Sequence, residues 1–305
     1  MTHPLSDSLL DAINAVPGLR VSSQEQALPT IHSCNSWGDS QVLLQGAQLL
    51  EWAPHGQTPV VWLSPNARWS PGKSPRGGVP ICWPWFGSHH IREDYPPHGI
   101  VRAASWQLIK ANLLESVGHK LHFRWVPDLT HNDYWPFNTP LEVRYTLGDA
   151  CEIELITRND SPTTVTVTEA LHTYFGVGDV RKVTIRGLEE YDYLDKVNRN
   201  RRQHQSGPIT ISGETDRVYL STQSDCFIED PLLNRIIRIE KRGSLSTIVW
   251  NPWDEKARRL GDLGETDFLR MVCVESGNVA ENRITLKPGE EHRLWVRYSV
   301  SVLTT

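Results

Sequence analysis

Apolar and polar residues alternate along most of this chain with a period of two. Segments 41–45, 49–52, 59–63, 105–110, 120–125 and 141–145 show the pattern, and 151–157 sets Glu152 and Glu154 between Cys151, Ile153 and Leu155. Segments 163–175, 182–186 and 293–300 complete the series. Successive side chains on a strand point to opposite faces, so each segment predicts a strand. Turn residues separate them at intervals of about 8–12 residues, the spacing of an all-β sandwich. The expected fold is therefore all-β, a large antiparallel β-sandwich of two extended sheets with little helix. The exception is 6–16, where Leu9, Leu10, Ile13 and Val16 fall on one side of a helix. Ser6 suits its N-cap, and Pro17-Gly18 would end it. With no Gly/Ser linker and no repeat, residues 1–305 are expected to form a single domain, with 1–30 as an N-terminal lead.

Composition narrows the classes. A chain of 305 residues can bury roughly 75% of its unfolded surface, so it needs neither disulfide nor metal to hold a core. Its net charge of −5 argues against non-specific nucleic-acid binding. No apolar run is long enough for a membrane helix, and the first residues do not read as a signal peptide. Cys34, Cys82, Cys151, Cys226 and Cys273 are scattered, as reduced thiols of a cytoplasmic protein would be. The 12 Trp outnumber 8 Tyr and 6 Phe. Trp suits a sheet core, and it also suits stacking on the C–H face of a sugar.

Five segments carry candidate chemistry. In 164–174 one face holds Val165, Val167, Glu169, Leu171 and Thr173, and the other holds Thr164, Thr166, Thr168, Ala170, His172 and Tyr174. His172 on that second face is a candidate floor residue of a pocket, or a hydrogen-bonded surface histidine. The apolar run Met-Val-Cys-Val after Arg270 ends in Glu275, a costly carboxylate to bury unless it is paired or functional. Arg76 precedes two glycines and the sequence Trp83-Pro84-Trp85, so a close backbone approach to a ligand and an aromatic pocket wall are expected. Pro97-His98-Gly99 leads to a second cation, Arg102, and Asp216 lies just ahead of a short strand. The cluster His89, His90, Glu93, Asp94 and His98 matches no defined zinc spacing, so no metal is expected. The run 199–202 reads as a solvated loop.

Together these segments resemble the aldose 1-epimerase superfamily, and within it the hexose-6-phosphate mutarotase branch. The motifs are Arg76-Gly-Gly-Val-Pro-Ile-Cys-Trp-Pro-Trp-Phe-Gly87, His98-Gly-Ile-Val-Arg102, Ala170-Leu-His-Thr-Tyr-Phe175, Asp195-Lys-Val-Asn198, Thr215-Asp-Arg-Val-Tyr219, Trp250-Asn-Pro252 and Val272-Cys-Val-Glu275. They fall in family order across most of the chain. The resemblance implies a galactose mutarotase-like β-supersandwich. It also implies anomer exchange of a hexose 6-phosphate without a cofactor, His172 as general acid and Glu275 as general base. Asp216 would hold sugar hydroxyls, His98 would bind substrate, and Arg76 and Arg102 would hold the phosphate. The small-molecule sugar phosphate is the only partner implied, and a monomer is the simplest expectation. The chain departs from the pattern at Pro97, where some relatives carry Gln, and at Trp253, where Gly is common; Trp253 is expected to narrow the pocket or shift its preference. The alternatives are a mutarotase of free aldoses, a non-catalytic carbohydrate-binding protein, and a glycosidase built on Glu275 and Asp216.

Overall fold

The computed structural model describes residues 7–22, 28–130 and 134–303. Two extended antiparallel sheets dominate, as the alternation predicts. The first runs in the order Arg201–His204, Asp192–Asp195, Thr215–Leu220, Ser246–Asn251, Met271–Asn278, Glu169–Leu171 and Ile81–Cys82, with Tyr174–Gly176 also paired to Met271–Asn278. The second runs Thr184–Arg186, Cys226–Asp230, Arg235–Arg242, Glu291–Val302, Cys151–Arg158, Leu141–Leu147, Gly118–Trp125 and Gln107–Leu114. Ahead of them lies a sheet of Leu19–Ser22, Thr30–Asn35, Gly38–Leu43 and Gln48–Pro54. Ile153, Leu155, Ile237, Ile239, Val296 and Tyr298 of the second sheet meet Leu171, Phe175, Val249, Val272 and Val274 of the first in one continuous core.

The helix spans Asp7–Asn14 and buries Ile13, with Leu9 and Val16 packed against the core. The proposed cap Ser6 lies outside the described residues. Three expectations need correction. Segment 59–63 is not a strand, because Val61 makes only isolated bridges to Trp52 and Phe175. Segment 163–175 divides into Val165–Val167, Glu169–Leu171 and Tyr174–Gly176, the first of which pairs with Ile284–Leu286 instead. Arg201 and Arg202 open the edge strand Arg201–His204 rather than lying in a loop. A second short helix, Trp253–Leu260, joins the N-terminal one.

Arg235–Arg242 escaped the pattern reading because its inward positions include Arg235 and Lys241. Arg235 donates through Nη1 and Nη2 to the carbonyls of Thr58, Pro59 and Gly176, while its buried Nε has no partner among the described residues. Lys241 Nζ instead crosses between the sheets to donate to Thr222 Oγ1 (2.7 Å), Thr247 Oγ1 (2.9 Å) and the Ser246 carbonyl (3.2 Å), with no carboxylate among its partners. Burial lowers its pKa to about 8. Between that value and the ordinary lysine range the unfolded chain binds the extra proton, so a cost present at neutral pH is relieved as pH rises. Lys241→Met is expected to gain on wild type in unfolding free energy at pH 7, and that gain should shrink by about 2.5 kcal/mol by pH 10. Denaturant titrations of both proteins at the two pH values check this; a gain independent of pH would refute it.

Candidate active site

The register of Met271–Asn278 builds the site. Glu169–Leu171 pairs with it so that Leu171 faces Ser276, and Tyr174–Gly176 pairs so that Tyr174 faces Cys273. The register is the same on both sides of the break, so His172 falls directly opposite Glu275. Its Nδ1 lies 3.5 Å from Glu275 Oε1. Leu171, Val272 and Val274 point into the core, while His172, Cys273 and Glu275 point to the outer face of the sheet. That face is covered rather than solvated. His172 is 8% exposed and Glu275 1%. His172 Nδ1 and Glu275 Oε2 have no hydrogen-bond partner among the described residues. Unpartnered buried atoms of this kind carry a desolvation cost that a ligand can relieve.

A cleft of about 330 Å³ opens above the pair, within the usual range for small-molecule sites. All six residues singled out in the sequence border it: Arg76, His98, Arg102, His172, Asp216 and Glu275. Neighbouring strands complete the floor. Asp216 faces Trp250, Trp250 faces Cys273, and Ile248 faces Glu275. Asp216 thus lies within Thr215–Leu220 and not ahead of it. Tyr174 stacks on His172 at 4.9 Å.

Arg76 is clamped by Nε to Asp262 Oδ1 (3.0 Å) and donates through Nη1 to the Tyr174 hydroxyl (3.1 Å). Its neighbours Gly77 and Gly78 serve the chain and not a ligand: a Cβ there would meet the Trp62 and Leu49 carbonyl oxygens at 2.6 and 2.3 Å. Arg102 sits on the short 3-10 turn Val101–Ala103 and has no carboxylate partner among the described residues. The expected aromatic wall does not form. Trp83 is fully buried against Trp125 and Trp135, and the Trp85 indole N–H donates to the Pro96 carbonyl. Phe86 and Trp250 line the cleft in their place. Trp253 does not narrow it either, resting on Phe268 instead.

Sequence reasoning gave no role to Lys196 and Lys256, which also border the cleft. Lys196 follows Asp195, whose Oδ1 accepts the Val197 and Asn198 amides, and its own amide is held by the Asp216 carbonyl. Lys256 comes from the helix Trp253–Leu260. Asp254 and Glu255 in its first turn, Arg258 and Arg259 in its last, and Gly261 beyond it were readable as helix signals. Asn251 sets the entry to this helix by accepting the Trp253 amide. The two ammonium groups lie 4.0 and 3.8 Å from the Asp216 carboxylate, on opposite oxygens.

The electrostatics assign protonation states. Burial, and secondarily the charges of Arg102, Lys196 and Arg76, push His98 down to about 3, so it stays neutral. Its Nδ1 accepts the Gly87 amide at 3.4 Å, which leaves the proton on Nε2 as a fixed donor. Burial likewise drives His172 well below the ordinary histidine value, helped by the charges of Arg76 and Arg102. It drives Glu275 well above the ordinary carboxyl value, helped by Asp216. The pair therefore holds one proton between two groups, poised to exchange it.

The fold is shared with a galactose mutarotase-like protein from Lactobacillus casei, of 16% identity and TM-score 0.71, over 89% of this chain and all of that one. A solved structure from Salmonella typhimurium, provisionally described as a mutarotase, is 32% identical with TM-score 0.87, covering 96% of this chain and 99% of that one. The class is thus the galactose mutarotase-like β-sandwich. The chain belongs to the aldose 1-epimerase family, whose model matches residues 32–299. A relative from Escherichia coli (strain K12), provisionally named glucose-6-phosphate 1-epimerase, is 37% identical over 250 residues, 82% of this chain and 83% of its own. Among the described residues no helix is long and apolar enough to cross a membrane.

Proposed function

We propose that this protein interconverts the α and β anomers of a hexose 6-phosphate, D-glucose 6-phosphate above all. The observation that supports it most is the buried, unpartnered pair of His172 and Glu275 in cross-strand register beneath a cleft with an excess of cations. Glu275 takes the C1 hydroxyl proton as the C1–O5 bond breaks, and His172 gives its proton to O5. The open aldehyde turns about C1–C2. Closure from the other face returns the O5 proton to His172 and the Glu275 proton to the new C1 hydroxyl, so the pair ends as it began. The neutral imidazole and protonated carboxyl that burial favours are the state of the pair at the open-chain stage. Asp216, whose pKa burial raises and the Lys196 and Lys256 ammonium groups draw back in part, accepts sugar hydroxyls, and His98 Nε2 donates to one. Arg102 and Arg76 take the phosphate.

The group facing Glu275 is an imidazole and not a second carboxyl, unlike the paired carboxyls of most glycosidases. A module that only bound sugar would have no use for a buried, unsatisfied proton-transfer pair. The test is polarimetry of freshly dissolved anomers of glucose, galactose, mannose and their 6-phosphates, with the spontaneous rate subtracted. Acceleration of the 6-phosphates over the free sugars is expected, and equal acceleration, or none, would refute the reading.

The protonation argument carries its own test. Turnover needs one proton on the pair, and a second enters only below the depressed pKa of His172. At saturating substrate, kcat is therefore expected to hold level as pH falls through about 6.5, the ordinary histidine value, with its acid limb lower. The phosphate's own second ionisation, near pH 6, belongs to binding and enters KM. A kcat that halves at pH 6.5 would show an ordinary solvated imidazole.

A further inference from the structure

One buried side chain beside the pair has no part in this chemistry. Cys273 is two residues before Glu275 on the same face of the strand, fully buried and absent from the lining of the cleft. A histidine nitrogen, the Cys273 sulfur and a Glu275 carboxylate oxygen lie within 4.8 Å of one another. We propose that these three side chains form a binding site for a thiophilic divalent cation, Zn²⁺ above all, whose occupation blocks the active site. The proposal rests on the reading of His172 and Glu275 as the proton-transfer pair.

The donor set is the kind zinc prefers, one imidazole nitrogen, one thiolate and one carboxylate, with a fourth position open toward the cleft. Bond lengths of about 2.0–2.3 Å put tetrahedral zinc ligands roughly 3.3–3.8 Å apart. His172 Nδ1 and Glu275 Oε1 are already 3.5 Å apart, and the three donor atoms lie within 4.8 Å of one another, so a small contraction would seat the ion. Two of the donors also want a partner. His172 Nδ1 and Glu275 Oε2 are buried and unsatisfied, and a cation would satisfy them in the absence of sugar. The charge balances as well. Coordination releases the thiol and carboxyl protons to solvent, and the two anions then match the ion. Asp216 adds attraction at this position, while Arg76 and Lys196 oppose it. The scattered cysteines hid the site from the sequence, because its ligands come from two segments far apart in the chain.

A cation here takes the lone pairs that accept protons during ring opening, so it inhibits rather than assists, and it excludes substrate. The experiment uses the full chain in a Cys34→Ser background, since Cys34 is the exposed thiol. Stripping with chelator is expected to leave turnover unchanged. Added Zn²⁺ should then inhibit with one equivalent per cleft, compete with glucose 6-phosphate, and be reversed by chelator. Co²⁺ should give a thiolate-to-metal charge-transfer band. Cys273→Ala should turn over normally, lack that band, and need at least about tenfold more Zn²⁺ for the same inhibition. Cys273→Ser covers the case in which the alanine variant fails to fold. Equal zinc sensitivity with and without the thiol, or no thiolate band in the parent, overturns the site. The functional reading fails separately, through turnover that survives His172→Ala.

Discussion

Exchanging His172 for Ala or Glu275 for Gln is expected to remove most anomerisation activity from a protein that stays folded. Positioned acid–base groups contribute about 10²–10⁴-fold each, and losses in kcat of that order should appear in polarimetric initial rates. Glu275→Gln keeps the shape of a fully buried side chain and deletes the ionisable group. Its fold should be intact, since it removes a carboxyl whose burial already disfavours ionisation. His172→Ala leaves a gap between Tyr174 and Phe86, the rings that now flank the imidazole. A modest loss of stability is expected there, read by thermal unfolding apart from turnover. The double variant should be little worse than the poorer single one, because each proton transfer is useless without the other. Near wild-type turnover in either single variant would overturn the pair as the chemical centre.

The second large effect falls on binding. Arg102→Ala should raise KM for glucose 6-phosphate by roughly 10- to 150-fold, the equivalent of a charge-assisted contact worth about 1.5–3 kcal/mol. The phosphate is remote from C1 and held alike throughout the reaction, so kcat should change little, and free glucose should be handled as before. The geometry separates the two arginines. Arg102 has no carboxylate partner among the described residues, so its removal strands nothing. Arg76 is paired with Asp262 and supports the Tyr174 hydroxyl, and Tyr174 stacks on His172. Arg76→Ala should therefore raise KM and also lower kcat for both substrates. Equal losses on phosphorylated and free sugar with Arg102→Ala would make this residue structural and refute its assignment to phosphate.

The architecture was largely legible in the chain. Where one face of a strand meets core and the other meets water, as in Leu141–Leu147, alternation states the strand and its inward side. The assignment of His172 to the face opposite Leu171 and Thr173 holds through alternation alone, since both faces there are buried. Legibility failed where burial is two-sided, as in Ser246–Asn251, and where a charged side chain turns inward, as Lys241 does. It failed also for Lys256, whose helix fully buries only Ala257 and so carries little apolar periodicity.

The sequence by itself determined an all-β sandwich, the acidic balance, and six residues that prove to border one cleft. It did so because those residues carry their chemistry in their own side chains and sit in locally readable patterns. Only the tertiary structure decided that His172 faces Glu275 across a shared register, that Gly77 and Gly78 admit neighbouring backbone rather than ligand, and that Trp83 belongs to the core. It alone revealed Lys196 and Lys256 flanking Asp216, and Cys273 behind the pair. Each of these is a relation between strands distant in the chain. Antiparallel pairing and sheet packing fix such relations, and no local pattern of residues encodes which partner lies across the ladder.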